Sequence, residues 1–133
     1  TWVNSEKLAE QLNSYQLEGV EFKQIVFVPD SIVDGIQIHP PKFLGEKVNG
    51  VEMIITNREK FQPLAAGVYI LHAFKTLYPE KMEWRKGRMD GLLGTSEVRE
   101  KLQAGVSPQE IIESWKSDEE KFREKRKAFL LYD

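Results

Sequence analysis

The sequence predicts an α+β fold: a small mixed sheet packed against three to four helices in a single compact domain. Three observations carry that reading. Two apolar, strand-like runs at 24–28 and 51–56 bracket an irregular segment rich in glycine, proline and aspartate. Helix-spaced apolar residues with start and stop signals recur before and after them. The length, 133 residues with 41% hydrophobic and 30% charged, suits one globular domain with its own core.

In chain order, Asn4 or Ser5 is placed to cap a first helix, in which Leu8, Leu12 and Tyr15 recur at helical spacing before Gly19 stops it. The Ile-Val-Phe-Val run at 25–28 is apolar in every position, which predicts a central strand covered on both faces and ended by Pro29. Residues 30–50 are irregular, with short extended pieces at 36–38 and 43–44. Pro40 forces His39 out of the helical region, and Asn49-Gly50 favours a tight turn before the second strand. Pro63 suits the first turn of a helix running to about Tyr78 and closed by Pro79. This helix is apolar nearly all round and is expected to be the buried one. Asp90 falls in a glycine-flanked connection, and Thr95 or Ser96 caps a short helix to about Leu102, closed by Gly105. Ser107-Pro108-Gln109-Glu110 is a capping box that opens a last helix reaching about Lys127, with Ile111, Trp115 and Phe122 as its inner stripe.

The chemistry these residues exclude is broader than the chemistry they offer. A net charge of −2 from 19 basic and 21 acidic residues, mixed along the chain, lacks the basic excess that phosphate backbones demand, so nucleic acid is not an expected partner. With no cysteine there are no disulfides, thiolate nucleophiles or zinc-thiolate sites. The longest apolar run, 64–74, contains His72 and is far below the ~20 residues of a membrane span. The chain opens on Thr1 without a signal-like segment and is expected to come from a longer polypeptide. No nucleophile elbow, phosphate loop or dinucleotide fingerprint occurs. His72 lies among apolar residues in a helix, where a packed histidine is the ordinary reading, and His39 lies in the irregular segment, where structural and functional roles both stand. The acidic residues of the last helix read as a solvated face, and Asp90 as a turn or helix-entry residue with a functional alternative. No acid–base pair of the kind a glycosidase needs is visible.

The ordered set of motifs is more specific than any one of them. Met89-Asp90-Gly91-Leu92-Leu93-Gly94-Thr95, then Ser107 to Ile112 with Trp115, and Phe122, Arg126 and Phe129-Leu130-Leu131-Tyr132 resemble the closing segment of NamZ-type exo-β-N-acetylmuramidases. Pro41 to Glu46 with Gly50-Val51, Phe61-Gln62-Pro63 to Pro79, and Asn4 to Ala9 with Gly19 to Phe22 are similar to earlier parts of the same C-terminal region. The match spans almost the whole chain. It departs where the family's loop cysteine is Val48, where an aromatic hydroxyl is lost at Phe43, and at the inserted Ile36 to His39, which does not align with the family's loop.

The resemblance implies a two-subdomain glycosidase whose catalytic acids lie in a Rossmann-like region upstream, with residues 1–133 as the C-terminal subdomain that helps form the substrate cleft. It implies hydrolysis of non-reducing-end N-acetylmuramic acid from peptidoglycan fragments, no metal or nucleotide cofactor, and a periplasmic, cell-envelope or secreted setting. The partners implied are the catalytic region and a peptidoglycan-derived sugar. The isolated chain is then expected to hold no catalytic residue and to be inactive. The residues expected to bind substrate are His39, Lys42 and Asn49 of the irregular segment and Arg88, Asp90 and Thr95 of the glycine-flanked turn, the two segments facing the catalytic region together. Lys42 or Arg88 suits the lactyl carboxylate of the sugar. A stand-alone domain that binds cell-wall glycan or protein is the alternative of a different class.

Overall fold

The computed structural model describes residues 2–130, and the chain forms two compact units, residues 1–79 and 80–133. The first is α+β and the second is helical, so the α+β class holds for the chain as a whole.

In the first unit, α1 (Ser5–Ser14) starts where Asn4 Oδ1 accepts a hydrogen bond from Lys7 N at 2.9 Å. The helix ends at Tyr15, four residues before Gly19, so glycine is not its stop signal. Gly19 has φ +76° instead, and its carbonyl accepts from Thr56 N (2.9 Å) and Asn57 N (3.2 Å). It thereby sets the start of β1 (Val20–Phe27), which pairs antiparallel with β4 (Val48–Ile55), Val20 opposite Ile55 and Phe27 opposite Val48. A second ribbon of two residues per strand, β2 (Ile32–Val33) and β3 (Ile36–Gln37), turns at Asp34-Gly35, both at positive φ. The sheets are antiparallel throughout. Then α2 (Pro63–Leu77) begins on Pro63, as its fixed φ favours.

The core of this unit is Leu8, Leu12, Val20, Phe22 and Ala73, with Val51, Ile70, Phe74 and Leu77 packed against it. Periodicity explains it, since 8 and 12 share a helix face and 20 and 22 share a strand face. Two hydrogen bonds lock helix to strand: Asn13 Nδ2 donates to Phe22 O (2.8 Å) and Asn13 Oδ1 accepts from Phe22 N (3.0 Å). Tyr78 OH likewise accepts from Asn4 N and donates to Asn4 O, tying the end of α2 to the start of α1.

Four expectations from the sequence do not hold in this unit. The strand at 24–28 is not covered on two faces, since Val26 is 59% exposed and Val28 50%. Asn49-Gly50 does not turn. Gly50 pairs with Ile25 inside β4, where a β-carbon would lie in ordinary contact, 3.8 Å from Ile25 Cγ2 and Phe27 Cε1. Residues 43–44 are a turn rather than an extended piece. Of α2, Ala66, Val68 and Ala73 are buried, whereas Leu64 is exposed.

The second unit holds α3 (Lys86–Leu93), α4 (Glu97–Gln103) and α5 (Pro108–Lys127). Asp90 is therefore helical rather than part of a turn, and Gly94 ends its helix in the left-handed region at φ +72°. The capping box on α5 forms with both bonds present. Val98, Leu102, Pro108 and Ile111 are buried, but Trp115 is only half-buried and Phe122 is exposed, which corrects the inner stripe. The cause is length. At ~1.5 Å per residue a seven-residue helix can cover only the first turns of a twenty-residue one. Phe129 and Leu130 follow α5 and are exposed, while Leu131 and Tyr132 lie outside the described residues.

Candidate functional site

The six candidate residues fall three to a unit. In the first, residues 28–47 form an exposed arm organised by backbone rather than by core. Asp30 Oδ1 accepts from Ser31 N (2.6 Å) and Ile32 N (3.1 Å). Ile38 N donates to Ser31 O (2.7 Å), and Gly45 N to Pro29 O (3.0 Å), closing the arm at its base. The turn that carries Lys42 places Phe43 at φ +64°, a conformation that a bulky residue adopts at a cost of ~1–2 kcal/mol. Lys42 Nζ sits 4.9 Å from the centroid of the Phe43 ring, a cation–π contact on an exposed loop. His39 is exposed, with Nδ1 3.1 Å from Pro40 O. Because a carbonyl only accepts, the proton is assigned to Nδ1, and Nε2 is left as an acceptor. Asn49 differs from both. It is half-buried in β4, and its Nδ2 donates to Val3 O at 3.1 Å, so it fastens the N-terminal segment to the sheet.

In the second unit, Asp90 is engaged from one side by Arg99, whose Nε reaches Oδ1 at 2.8 Å and whose Nη2 reaches Oδ2 at 2.7 Å. Arg99 is 7% exposed and also donates to Gln103 and Glu100, so the pair ties α3 to α4 as a bidentate clamp. The Arg99 hydrogen bond holds the Asp90 carboxyl below the usual carboxylate range. Thr95 Oγ1 accepts from Glu97 N (3.1 Å) and so supports the start of α4, while Ser96, at the cap position, makes no side-chain bond. Arg88 is exposed on α3.

Two features escaped the sequence reading. One is the Phe43 ring beneath Lys42, for which an aromatic residue gives no local signal of positive φ. The other is a half-buried cluster in the first unit, where Tyr15 OH lies 2.7 Å from His72 Nδ1 and the Tyr15 and Tyr69 rings are 4.8 Å apart. Burial lowers the His72 pKa, with Lys75 adding to the effect, and burial raises that of Tyr15. Tyr15 and His72 are 57 residues apart in the sequence, so no local spacing signals their contact. Among the described residues, no group of three or more His, Asp or Glu is placed to hold a metal ion. No helix among them is long and apolar enough to cross a membrane.

The comparisons with known proteins cover the same residues. A family model described as the C-terminal part of the exo-β-N-acetylmuramidase NamZ matches residues 1–132. The peptidoglycan β-N-acetylmuramidase NamZ of Bacillus subtilis (strain 168) is 32% identical over 132 residues, which is 98% of this chain and 30% of that protein. A crystal structure of a DUF1343 family protein from Bacteroides fragilis superposes with a TM-score of 0.76 at 25% identity, over 99% of this chain and 34% of that one. The chain thus spans about a third of the length of the relatives it matches.

Proposed function

Since the chain belongs to the family of NamZ C-terminal domains, we propose that it serves an exo-β-N-acetylmuramidase as the subdomain that closes over the sugar. In this reading residues 1–133 are a C-terminal subdomain, and the catalytic carboxylates belong to a preceding region. The observation that supports it most is the match itself, which runs through residues 1–132 and carries one relative at 32% identity. A closing subdomain contributes orientation and exclusion of water rather than bond-breaking groups, which agrees with a chain whose best-placed acid, Asp90, is held by Arg99.

The substrate contacts we propose are those whose side chains are exposed. Lys42 or Arg88 pairs with the lactyl carboxylate, and His39 Nε2 accepts from a sugar hydroxyl. Asn49, Asp90 and Thr95 remain weaker proposals, because each already holds its own unit together. Kinetics on a chromogenic muramic acid glycoside test the reading. The purified 133-residue chain should show no turnover, and in the full-length gene product Lys42→Ala and Arg88→Ala should each raise KM without lowering thermal stability. Turnover by the isolated chain, or unchanged KM in both variants, would overturn it.

A further inference from the structure

We infer that the exposed apolar residues of the 28–47 arm, with Val26 and the outer edge of β1, form a docking surface for the polypeptide that precedes this domain in the full-length enzyme. The inference rests on the muramidase reading only in requiring that such a region exists. Three observations lead to it. First, Val26, Val28, Ile32, Val33, Ile36 and Leu44 are each between 45% and 67% exposed, within one stretch of chain. Apolar surface gathered in this way marks an interface, since water contact over it is unfavourable at ~25 cal/mol per Å². Second, the β2–β3 hairpin has only two residues per strand and both of its strands are exposed. An isolated two-stranded hairpin is marginal at best in water, so a second surface is needed to hold it.

The third observation is backbone geometry. Phe22 points its N–H and C=O away from β4 toward Asn13, whereas the Gly19 carbonyl accepts from Thr56 N on the β4 side. Antiparallel pairing alternates, so Gln24 and Val26, in step with Phe22, also turn their N–H and C=O outward. Among the described residues no partner meets those groups, because Asn13 covers the edge only at Phe22. An unpaired edge beside exposed apolar side chains is the surface to which an extended strand adds. The occupant is set by length and order: the matching family segment is C-terminal, and the chain spans 30% of one relative and 34% of another. What covers the arm is therefore an apolar surface of the preceding two-thirds of the enzyme.

Residue-resolved amide hydrogen exchange on the full-length gene product and on the 133-residue chain tests this. The Gln24 and Val26 amides should exchange at least about tenfold more slowly in the full-length protein, while the ladder amides of Lys23 and Ile25 are protected in both. Ile36→Asp in the full-length protein should restore fast exchange at Gln24 and Val26 and leave the Leu8 and Leu12 amides protected. Equal exchange at Gln24 and Val26 in the two proteins overturns the docking surface, and so does a gene with no region upstream. Protection in the isolated chain with a dimeric mass by light scattering overturns it in favour of a second copy. Protection that appears only when peptidoglycan fragments are added overturns it in favour of glycan. Muramidase activity in the same full-length sample is read separately, so loss of the glycosidase reading leaves the exchange result interpretable.

Discussion

Replacing Gly19 by alanine is the sharpest test of how the first unit closes. Gly19 sits at φ +76°, and a β-carbon built there meets the backbone oxygen of Asn57, with Phe61 N at 2.8 Å and Phe61 Cα at 3.1 Å. All three are backbone atoms of the 57–61 turn, which is itself closed by Phe61 N donating to Asn57 O (3.0 Å). A flexible side chain could swing away, but this turn cannot move without loosening the bonds from Thr56 N and Asn57 N to Gly19 O. The left-handed conformation costs a non-glycine residue ~1–2 kcal/mol, and forced overlap in packed surroundings adds ~1–3 kcal/mol. Gly19→Ala should therefore destabilise the unit by about 2–5 kcal/mol. Gly45→Ala is the control, because Gly45 has φ +73°, belongs to the same unit, and has no atom within 4 Å of the added carbon. It should cost only the conformational part, about 1–2 kcal/mol. In urea, with slopes of roughly 1–3 kcal/mol per M, the Gly19→Ala midpoint should drop by on the order of 1 M or more at unchanged slope. Equal midpoints for the two variants would show that the 57–61 turn gives way freely, and the packing argument would fall.

Along the last helix, Ile111→Ala should cost about 2–5 kcal/mol, because Ile111 is fully buried. Phe122→Ala, at a 65% exposed position, should stay within about 0.5 kcal/mol of wild type in denaturant unfolding; the opposite ranking would place the core on the wrong face. His72 has its pKa pushed below 6.5 by burial, so its neutral form favours folding, and that contribution is lost as pH falls below 6.5. His72→Gln should narrow the loss of urea midpoint between about pH 7.5 and about pH 5.5, and an unchanged loss would separate the ring from the effect. Asp90 is shifted down from 3.8 by Arg99, so its stabilisation is present above 3.8 and disappears as pH falls through the lower folded value. Asp90→Asn should flatten the acid limb of unfolding between pH 3.8 and that lower value, and a limb as steep as wild type would count against the clamp.

What was legible in the sequence was local. The Asn4 cap, Pro63 at the start of α2 and the Ser107–Glu110 box are each decided within three or four residues, and each stands where the pattern put it. What failed was decided across the fold. Asn49-Gly50 carries a strong turn signal, yet β1 offers it a ladder, and the dipeptide with the same signal that does turn is Asp34-Gly35. The Ile-Val-Phe-Val run read as a strand covered on both faces. Val26, Phe27 and Val28 are exposed instead, and under the docking inference the pattern reports a covering that this chain does not itself contain.

The candidate site was legible as a set of segments but not as a set of roles. Polar residues gather in irregular segments for two reasons, to meet a ligand and to satisfy backbone or charge that a small unit would otherwise leave unpaired. Sequence does not separate the two. The Asp90–Arg99 clamp spans nine residues and crosses the break at Gly94, so no single helical period predicts it. Asn49 reaches back 46 residues to Val3 O. Once Asn49, Asp90 and Thr95 are spoken for within their own units, the residues that still present a charge or an acceptor to solvent are His39, Lys42 and Arg88. Of these only Lys42 is presented on a backbone held at unfavourable φ, at Phe43. Strain persists where the surrounding structure over-determines it, and the bonds from Gly45 N to Pro29 O and Glu46 N to Phe43 O supply that restraint. If the turn is kept for the cation it displays, Phe43→Gly should relieve the strain and stabilise or leave unchanged the isolated chain, while raising KM for the muramic glycoside in the full-length enzyme. A variant with wild-type KM would assign the turn to the arm's folding alone and leave Arg88 as the better partner for the carboxylate.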